Sequence, residues 1–374
     1  MQIGTPIYRP STTIGNKVEN CRRNVVFKAP DNVKRHLPKP TKPESKFRQS
    51  ETQHASGRIA PTLEPGRTHR VADVPNEMHF IWFGGGIADH ACSNILEWTE
   101  RGKKNGWSIT LWADSNAKKS NEKKFTHLQS SGASVREFDE MLLQEFPKAR
   151  TLFRFAKETR AFAMCSDLAR YAILLNHGGV YSDVDIAPGN GFPIPRIDSY
   201  DLDSIPAFAP LIRNEAHLRN ILPEARADEV ARGARPSELT GHDEVTAFVA
   251  DYQLSRRQFG NHFIVTPPGL QFLNFLLESM PDLDNPYQSE KFRALASCND
   301  GGDLRKSAAC ITGPGKISAV TREFLKNTGK DNPLDPATPE ELMKKIGTRP
   351  FAIIRTIERK GIQWLTPESE NQEQ

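Results

Sequence analysis

Residues 158–188 read ETRAFAMCSDLARYAILLNHGGVYSDVDIAP, and the hydrophobic period changes midway. Phe162, Cys165, Ala169, Ala172 and Ile173 recur at helical spacing, Gly178 and Gly179 supply a stop, and Val180 to Ile186 alternates in the manner of a strand. A helix running straight into a strand is predicted. The same rhythm extends outward. MHFIWFGG, Met78 to Gly85, predicts a buried strand halted by glycines 84–86, Ile95 to Glu100 a short helix, and WSITLWADSN, Trp107 to Asn116, a second strand closed by Asp114 and Ser115. A further helix is predicted over Asp139 to Ala149. Downstream, strands are predicted at Pro206–Arg213, Asn261–Thr266 and Phe351–Thr356, with helices near His242–Tyr252, Gly269–Ser279 and Lys316–Lys326. Alternating strands and helices from about Val74 onward predict an α/β sheet with helices on its faces, and ligands of such sheets bind beyond the carboxyl ends of the strands.

The chain has 374 residues, of which 37% are hydrophobic and 26% charged, a composition unlike collagen, coiled coil or wholesale disorder. Its apolar runs, such as Tyr171 to Leu175, fall far short of the roughly 18 residues a membrane span needs. Five cysteines, Cys21, Cys92, Cys165, Cys298 and Cys310, show no C-x-x-C spacing, which argues against a disulfide framework or zinc site and for a reducing compartment. Residues 1–73 hold 14 Lys and Arg against 6 Asp and Glu, so this leader is basic while the remainder is slightly acidic within an overall charge of +4. With its eight prolines and no apolar period, the leader is expected to be a disordered arm, either a solvated linker or a patch drawn to anionic membrane or RNA without specificity. Its start lacks the apolar core of a secretory signal, so classical export is not expected; an injected bacterial effector would suit such a leader.

Asp183 and Asp185 form a D-x-D pair that strand spacing would aim the same way, and two hard oxygen ligands suit Mg²⁺ or Mn²⁺. D-x-D alone is weak, because chance supplies it about once in a chain of this length. Asp201-Leu202-Asp203 and Asp282-Leu283-Asp284 are such controls: both lie in loop-like contexts with no strand before them and are expected to be solvated turns. Asp183 and Asp185 instead close a buried strand, where uncompensated acids are unfavourable and a cation is a natural partner; an acidic strand end facing water is the alternative. Asp167 and Arg170, at i and i+3, either point together toward that pair or form a surface ion pair. Trp82, beside three glycines, is either a core aromatic or a platform on which a base stacks.

SDLARYAILLNHGGVYSDVD, Ser166 to Asp185, resembles the sugar-binding, D-x-D-containing region of the glycosyltransferase group that includes the clostridial large glucosylating toxins. MHFIWFGG, the helix around Trp98, the ADSN segment, GNHFIVTPPG and ITGPG extend the resemblance over most of residues 76–320. It implies a GT-A type fold, with a Rossmann-like mixed sheet, helices on both faces and helical insertions, over residues 74–365, flanked by the arm and a disordered tail at 366–374. It also implies a retaining, metal-dependent transferase using a UDP-sugar. By matching positions, Trp82 would stack on uracil with Ile81 lending backbone contacts, Asp167 and Arg170 would grip the sugar hydroxyls, and Tyr181 would line the nucleotide side. Asp183 would contact ribose, sugar or metal-bound water, and Asp185 would ligate Mn²⁺ or Mg²⁺ directly. Asn261 matches a position near the donor sugar, while Gly260 and His262 replace bulkier family residues; the glycine is expected to leave space that favours UDP-N-acetylglucosamine over UDP-glucose. The family's Ser-x-Trp is not intact, and Trp364 is the candidate stand-in.

No nucleophile for a double displacement is evident, so same-face attack is expected, with preorganised charge stabilising departing UDP. Acceptor choice lies in insertions such as Ile212 to Gln258, and the resemblance favours a host protein hydroxyl, such as that of a Rho-type small GTPase, reached by a secreted effector in the host cytoplasm. The competing expectations are a cytoplasmic enzyme building glycans or lipid-linked saccharides and a nucleotide-sugar-binding module without chemistry. No specific nucleic acid partner is expected.

Overall fold

A computed structural model of the chain describes residues 70–188, 200–211, 215–233, 239, 241–297 and 302–328. Most of the leader, the Phe351–Thr356 strand, Trp364, the carboxyl tail, Cys21 and Cys298 lie outside the described residues. Strand β1 (Val71–Ala72) precedes β2 (Glu77–Trp82), helix α1 (Asp89–Lys104), β3 (Ser108–Ala113), α2 (Ser115–Ser120), α3 (Glu122–Ser131) and β4 (Ser134–Glu137). A 3-10 turn at Glu140–Leu143 leads to α4 (Pro147–Glu158), α5 (Phe162–His177) and β5 (Gly179–Ser182). There follow β6 (Tyr200–Asp201), β7 (Ala207–Pro210), α6 (Glu215–Ala231), α7 (His242–Ser255), β8 (Phe259–Thr266), α8 (Gln271–Glu278), α9 (Pro286–Ser297), α10 (Gly302–Ile311) and α11 (Pro314–Thr328).

Six strands form one mixed sheet in the order β4-β3-β2-β5-β8-β7, while β1 and β6 pair separately. β2, β3, β4 and β5 run parallel, and β8 is antiparallel to both β5 and β7. From β2 to β4 the chain steps one way along the sheet; from β4 it returns across β3 and β2 to enter as β5. Parallel crossovers are right-handed in nearly all cases, so this reversal puts α1 and α3 on one face and α5 on the other. α1 does pack on α3 and β3, and α5 on β2, β5, α4, α8 and α10. This is the α/β sheet with helices on its faces that the sequence predicts, in the Rossmann-like mixed form that the resemblance implies. Covered on both sides, β2 buries Met78, His79, Phe80 and Ile81 in succession, which explains why it shows no in-out alternation.

Differences from expectation are local. The helix predicted over Asp139–Ala149 is two elements: Asp139 caps the 3-10 turn by accepting from Met141 N at 2.8 Å, and Pro147, with its fixed φ and no N–H, starts α4 afresh. α1 is longer than Ile95–Glu100, and a short strand, β1, lies ahead of Val74. The helix-to-strand junction is as predicted, and Gly178 and Gly179 adopt φ +68° and +85°. A Cβ on Gly179 would fall 2.3 Å from Glu77 O, and one on Gly178 2.5 Å from a Pro268 ring carbon, so no other residue fits either place.

His79 ties this junction to the sheet. Its Nε2 lies 3.1 Å from Gly178 O and its Nδ1 accepts from Trp112 Nε1 at 3.3 Å, a pattern that calls for the neutral, Nε2-protonated ring. Burial, with repulsion from His177, lowers its pKa to about 4 against the Gly178 hydrogen bond. Glu77, 3.9 Å away, is therefore not a salt-bridge partner at neutral pH. Because the folded pKa is depressed, the unfolded chain takes up a proton below about pH 6.5 that the folded chain refuses until about pH 4. Stability should fall on acidification through that window at about 1.4 kcal/mol per pH unit from this group. Denaturant titrations at stepped pH should show a flatter acid limb for His79→Gln; an unchanged slope would assign the acid sensitivity to other groups.

Candidate active site

Because β2, β3 and β5 are parallel, their carboxyl ends share one edge, and antiparallel β8 begins at that edge. The chain reverses direction between β2 and β5, so the topological switch point, where a ligand site is expected, lies between Trp82 and Ser182. Asp183, Asp185, Asn261 and His262 lie on the same edge, since Asp183 N donates to His262 O at 2.8 Å.

Arg170 is the centre of the site. It sits on α5 with only 5% of its surface exposed, and its guanidinium carbon lies over the Tyr181 ring, 4.3 Å from the centroid. Nη2 is 3.2 Å from Asp167 Oδ1 and Nη1 is 3.2 Å from Asp183 Oδ1. Nη1 also donates to Asn261 O at 2.5 Å and Nε to Ser166 O at 3.2 Å. The i, i+3 pair is thus buried, not a surface ion pair. Asp167 Oδ1 accepts from Asn261 Nδ2 and Oδ2 from Thr312 Oγ1, each at 2.7 Å. Burial pushes the Asp167 carboxyl up to about 6, opposed by Arg170 and by these two hydrogen bonds, so the group is ionised at neutral pH. Tyr181 is buried on β5 and donates from its hydroxyl to Asp183 Oδ1 at 2.6 Å.

Asp183-Val184-Asp185 is a turn beyond β5, closed by Ile186 N donating to Asp183 O at 3.2 Å. The expectation that strand alternation aims both carboxylates the same way is therefore corrected: the strand ends at Ser182. α1 holds the turn from behind. Asn94 Nδ2 donates to Val184 O at 3.0 Å and Trp98 Nε1 to Ile186 O at 2.7 Å, from positions one helical turn apart. Asp183 is committed to Arg170 and Tyr181, whereas Asp185 is exposed. Its surroundings and the Asp183 charge push the Asp185 carboxyl up to about 6; since its surface faces solvent, repulsion by Asp183 is the more durable cause.

Among the described residues no three His, Cys, Asp or Glu gather as a complete metal cage. The donor chemistry still fits Mg²⁺ or Mn²⁺, which bind through one or two carboxylates and fill other positions with water and phosphate oxygens. The two other D-x-D sequences are turns of another kind: Asp201 Oδ1 accepts from Asp203 N at 2.8 Å and Asp282 Oδ1 from Asp284 N at 3.0 Å. Contrary to expectation, the first begins on a two-residue strand, β6, which includes Asp201.

Trp82 ends β2 half-buried and donates from Nε1 to Gly85 O at 3.0 Å, while Ile81 is buried. The glycine loop is further held by Asp114, whose carboxylate receives Gly84 N at 3.3 Å, and by Asn121, which accepts from Ile87 N at 2.8 Å and donates to Gly85 O at 3.0 Å. Asn261 meets Asp167, as stated. The expected space beside Gly260 is filled: a Cβ there would lie 2.5 Å from the His262 imidazole and 3.0 Å from Pro210 O. Sequence reasoning passed over Asn94, Trp98 and Thr312 as site residues. The first two carry a signal in their i, i+4 spacing; Thr312 carries one only as part of ITGPG, a segment of the resemblance to which no role is given.

Residues 90–206 match the glycosyltransferase sugar-binding region containing the DXD motif. That stretch includes Asn94, Trp98, Asp167, Arg170, Tyr181, Asp183 and Asp185 and excludes Trp82, Asn261 and Thr312. "Subversion of eukaryotic traffic protein A" of Legionella pneumophila is 27% identical over 124 residues, 33% of this chain; the match spans only 18% of that relative's length. Among solved structures, the PaToxG glycosyltransferase aligns with a TM-score of 0.43 at 15% identity over 77% of this chain and 80% of its own. The catalytic domain of alpha-toxin from Clostridium novyi aligns at 0.35 and 14% identity over 68% and 73%.

Arg170→Met should retain packing on Tyr181 yet leave Asp167 and Asp183 without their cation. Unfolding free energy should fall by about 3 kcal/mol, and Arg170→Lys should restore only part, since an ammonium lacks the planar fork that reaches both carboxylates. A loss below about 1 kcal/mol in denaturant titration would mean the pair behaves as a solvent-screened surface bridge.

Proposed function

We propose that this chain is a metal-dependent, retaining glycosyltransferase that moves a sugar from a UDP-sugar to a hydroxyl acceptor. The observation that carries this reading is the buried Arg170 joining Asp167 to the Asp183–Asp185 turn, at the switch point of the sheet and within the matched sugar-binding region. A buried, ionised, fully hydrogen-bonded pair beside an exposed acid suits polyhydroxylated, anionic ligands better than an apolar one.

Asp185, with Asp183 behind it, would hold the divalent cation, which when bound neutralises charge on a departing diphosphate. Asp167 and Arg170 would orient the sugar through its hydroxyls, with Asn261 at their side. Trp82 and the backbone of Ile81 would receive the base, on a loop already held by Asp114 and Asn121. Tyr181 would act from beneath, supporting Arg170 and Asp183. Both Asp167 oxygens already accept hydrogen bonds, a poor state for a nucleophile, which favours attack by the acceptor on the face the diphosphate leaves. UDP-N-acetylglucosamine is the preferred donor on condition that the His262 ring, a side-chain end able to rotate, swings from beside Gly260; UDP-glucose is next.

The acceptor reading rests on the insertion carrying α6 and α7. It leaves and rejoins the sheet at the site edge, where Leu211 N donates to Gln258 O at 3.1 Å, so a macromolecule bound there would adjoin the sugar. The Legionella relative's name refers to eukaryotic traffic, which supports a secreted protein acting on a host protein, such as a small GTPase, inside a eukaryotic cell.

Isothermal titration should detect Mn²⁺-assisted binding of UDP, and Asp185→Ala should lose the metal-assisted part with no fall in melting temperature. The reason is that Asp185 is exposed and its ionised form is opposed by Asp183. Metal-independent UDP binding that is equal in both proteins would refute the metal assignment. A UDP-sugar panel, with released UDP and label in protein and lipid fractions as readouts, tests donor and acceptor class together.

A further inference from the structure

We propose that Thr312, on the segment between α10 and α11, is a positioning residue that fixes the Asp167 carboxylate for the donor sugar. This rests on the glycosyltransferase reading above and adds to it a residue far outside the matched region. Thr312 is fully buried, and its hydroxyl has two bonds to place. It donates to Asp167 Oδ2 at 2.7 Å and lies 3.2 Å from Ala308 O. A hydroxyl has one proton, and the shorter contact to the charged acceptor is the stronger claim on it.

The Thr312 backbone is fixed as well. Its carbonyl accepts from the Tyr171 hydroxyl at 2.7 Å, so α5 grips the segment one residue beyond Arg170 while the segment grips Asp167. The neighbouring Gly313 makes that approach possible: a Cβ there would lie 3.0 Å from Ala309 Cα and 3.2 Å from Asp167 Oδ2. Asp167 is thus held on one oxygen by Asn261 and Arg170 and on the other by Thr312, with its rotation about χ2 fixed from both sides. Loss of the hydroxyl would release one side and leave a buried carboxylate oxygen short of a donor. A carboxylate about 1 Å out of place loses much of its value in orienting a reacting sugar.

Thr312→Val preserves shape and burial and removes only the donor; Thr312→Ser retains the donor and removes a methyl. Turnover of UDP-sugar, read as released UDP, should show kcat/KM about tenfold lower for Thr312→Val, largely in kcat. UDP itself should bind with its wild-type Kd, because Asp167 serves the sugar and not the nucleotide, and Thr312→Ser should stay within about threefold of wild type. Wild-type kcat/KM in Thr312→Val would overturn the proposal, as would equal losses in Thr312→Val and Thr312→Ser or a matching loss of UDP affinity. If the wild-type chain turns over no UDP-sugar, it is the functional reading that fails. A double-mutant cycle of melting temperatures with Asp167→Asn then still decides whether the two side chains are coupled at all.

Discussion

A single buried guanidinium organises the site edge of this molecule. Arg170 has no route to water for most of its surface, so every N–H must find an acceptor inside the protein, and the acceptors come from three elements. Asp167 and Ser166 belong to its own helix, Asp183 to the turn after β5, and the Asn261 carbonyl to the start of β8. None of these can shift without leaving a charge or a donor unpaired, a change that removes several kcal/mol of stability. The chain thereby holds in fixed register the two acids that would otherwise repel.

The topology supplies the place and the helices supply the grip. Reversal of the chain direction between β2 and β5 puts the switch point at their carboxyl ends, and both sides of it are pinned from outside the sheet. On one side Asp114 and Asn121 hold the glycine loop that follows Trp82. On the other, Asn94 and Trp98 of α1 hold the carbonyls of the acidic turn. Since α1 starts just after the glycine loop, one rigid element registers the loop against the turn. A β2-α1-β3 unit thus does more here than carry the chain between strands.

Much of this was legible in the sequence because local chemistry dictated it. The double glycine at 178–179 reads as a helix stop, which the close approach of Glu77 and Pro268 enforces, and the apolar stretch around His79 reads as a buried strand, which cover on both faces explains. What stayed hidden depended on partners distant in sequence. Burial of the Asp167–Arg170 pair follows from β8 and the Thr312 segment closing over it, and an i, i+3 spacing is identical for a surface bridge. The D-x-D turn reads as strand in sequence because Val184 and Ile186 continue a β pattern; the backbone leaves the ladder just after Asp183, which still bonds His262 O and then accepts from Ile186 N to close the turn. The room anticipated beside Gly260 vanished for a comparable reason, since a missing Cβ invites the nearest flexible ring, and His262 is two residues away on the same strand.

The insertion between β7 and β8 stands apart energetically. α6 and α7 bury Leu218, Ala225, Val249, Ala250 and Tyr252 in a small core of their own, and the Tyr252 hydroxyl donates to Glu224 across the pair at 2.6 Å. Its tie to the sheet includes the bond from Gln253 Nε2 to Leu211 O at 3.0 Å, beside the Leu211–Gln258 backbone bond. Contacts that share no side chains contribute nearly independently. Changes on the outer surface of α6 and α7 should therefore leave Arg170 and its partners undisturbed. Among the described residues the charged network is closed within α5, β5, the turn after it, β8 and the Thr312 segment, and draws no partner from α6 or α7.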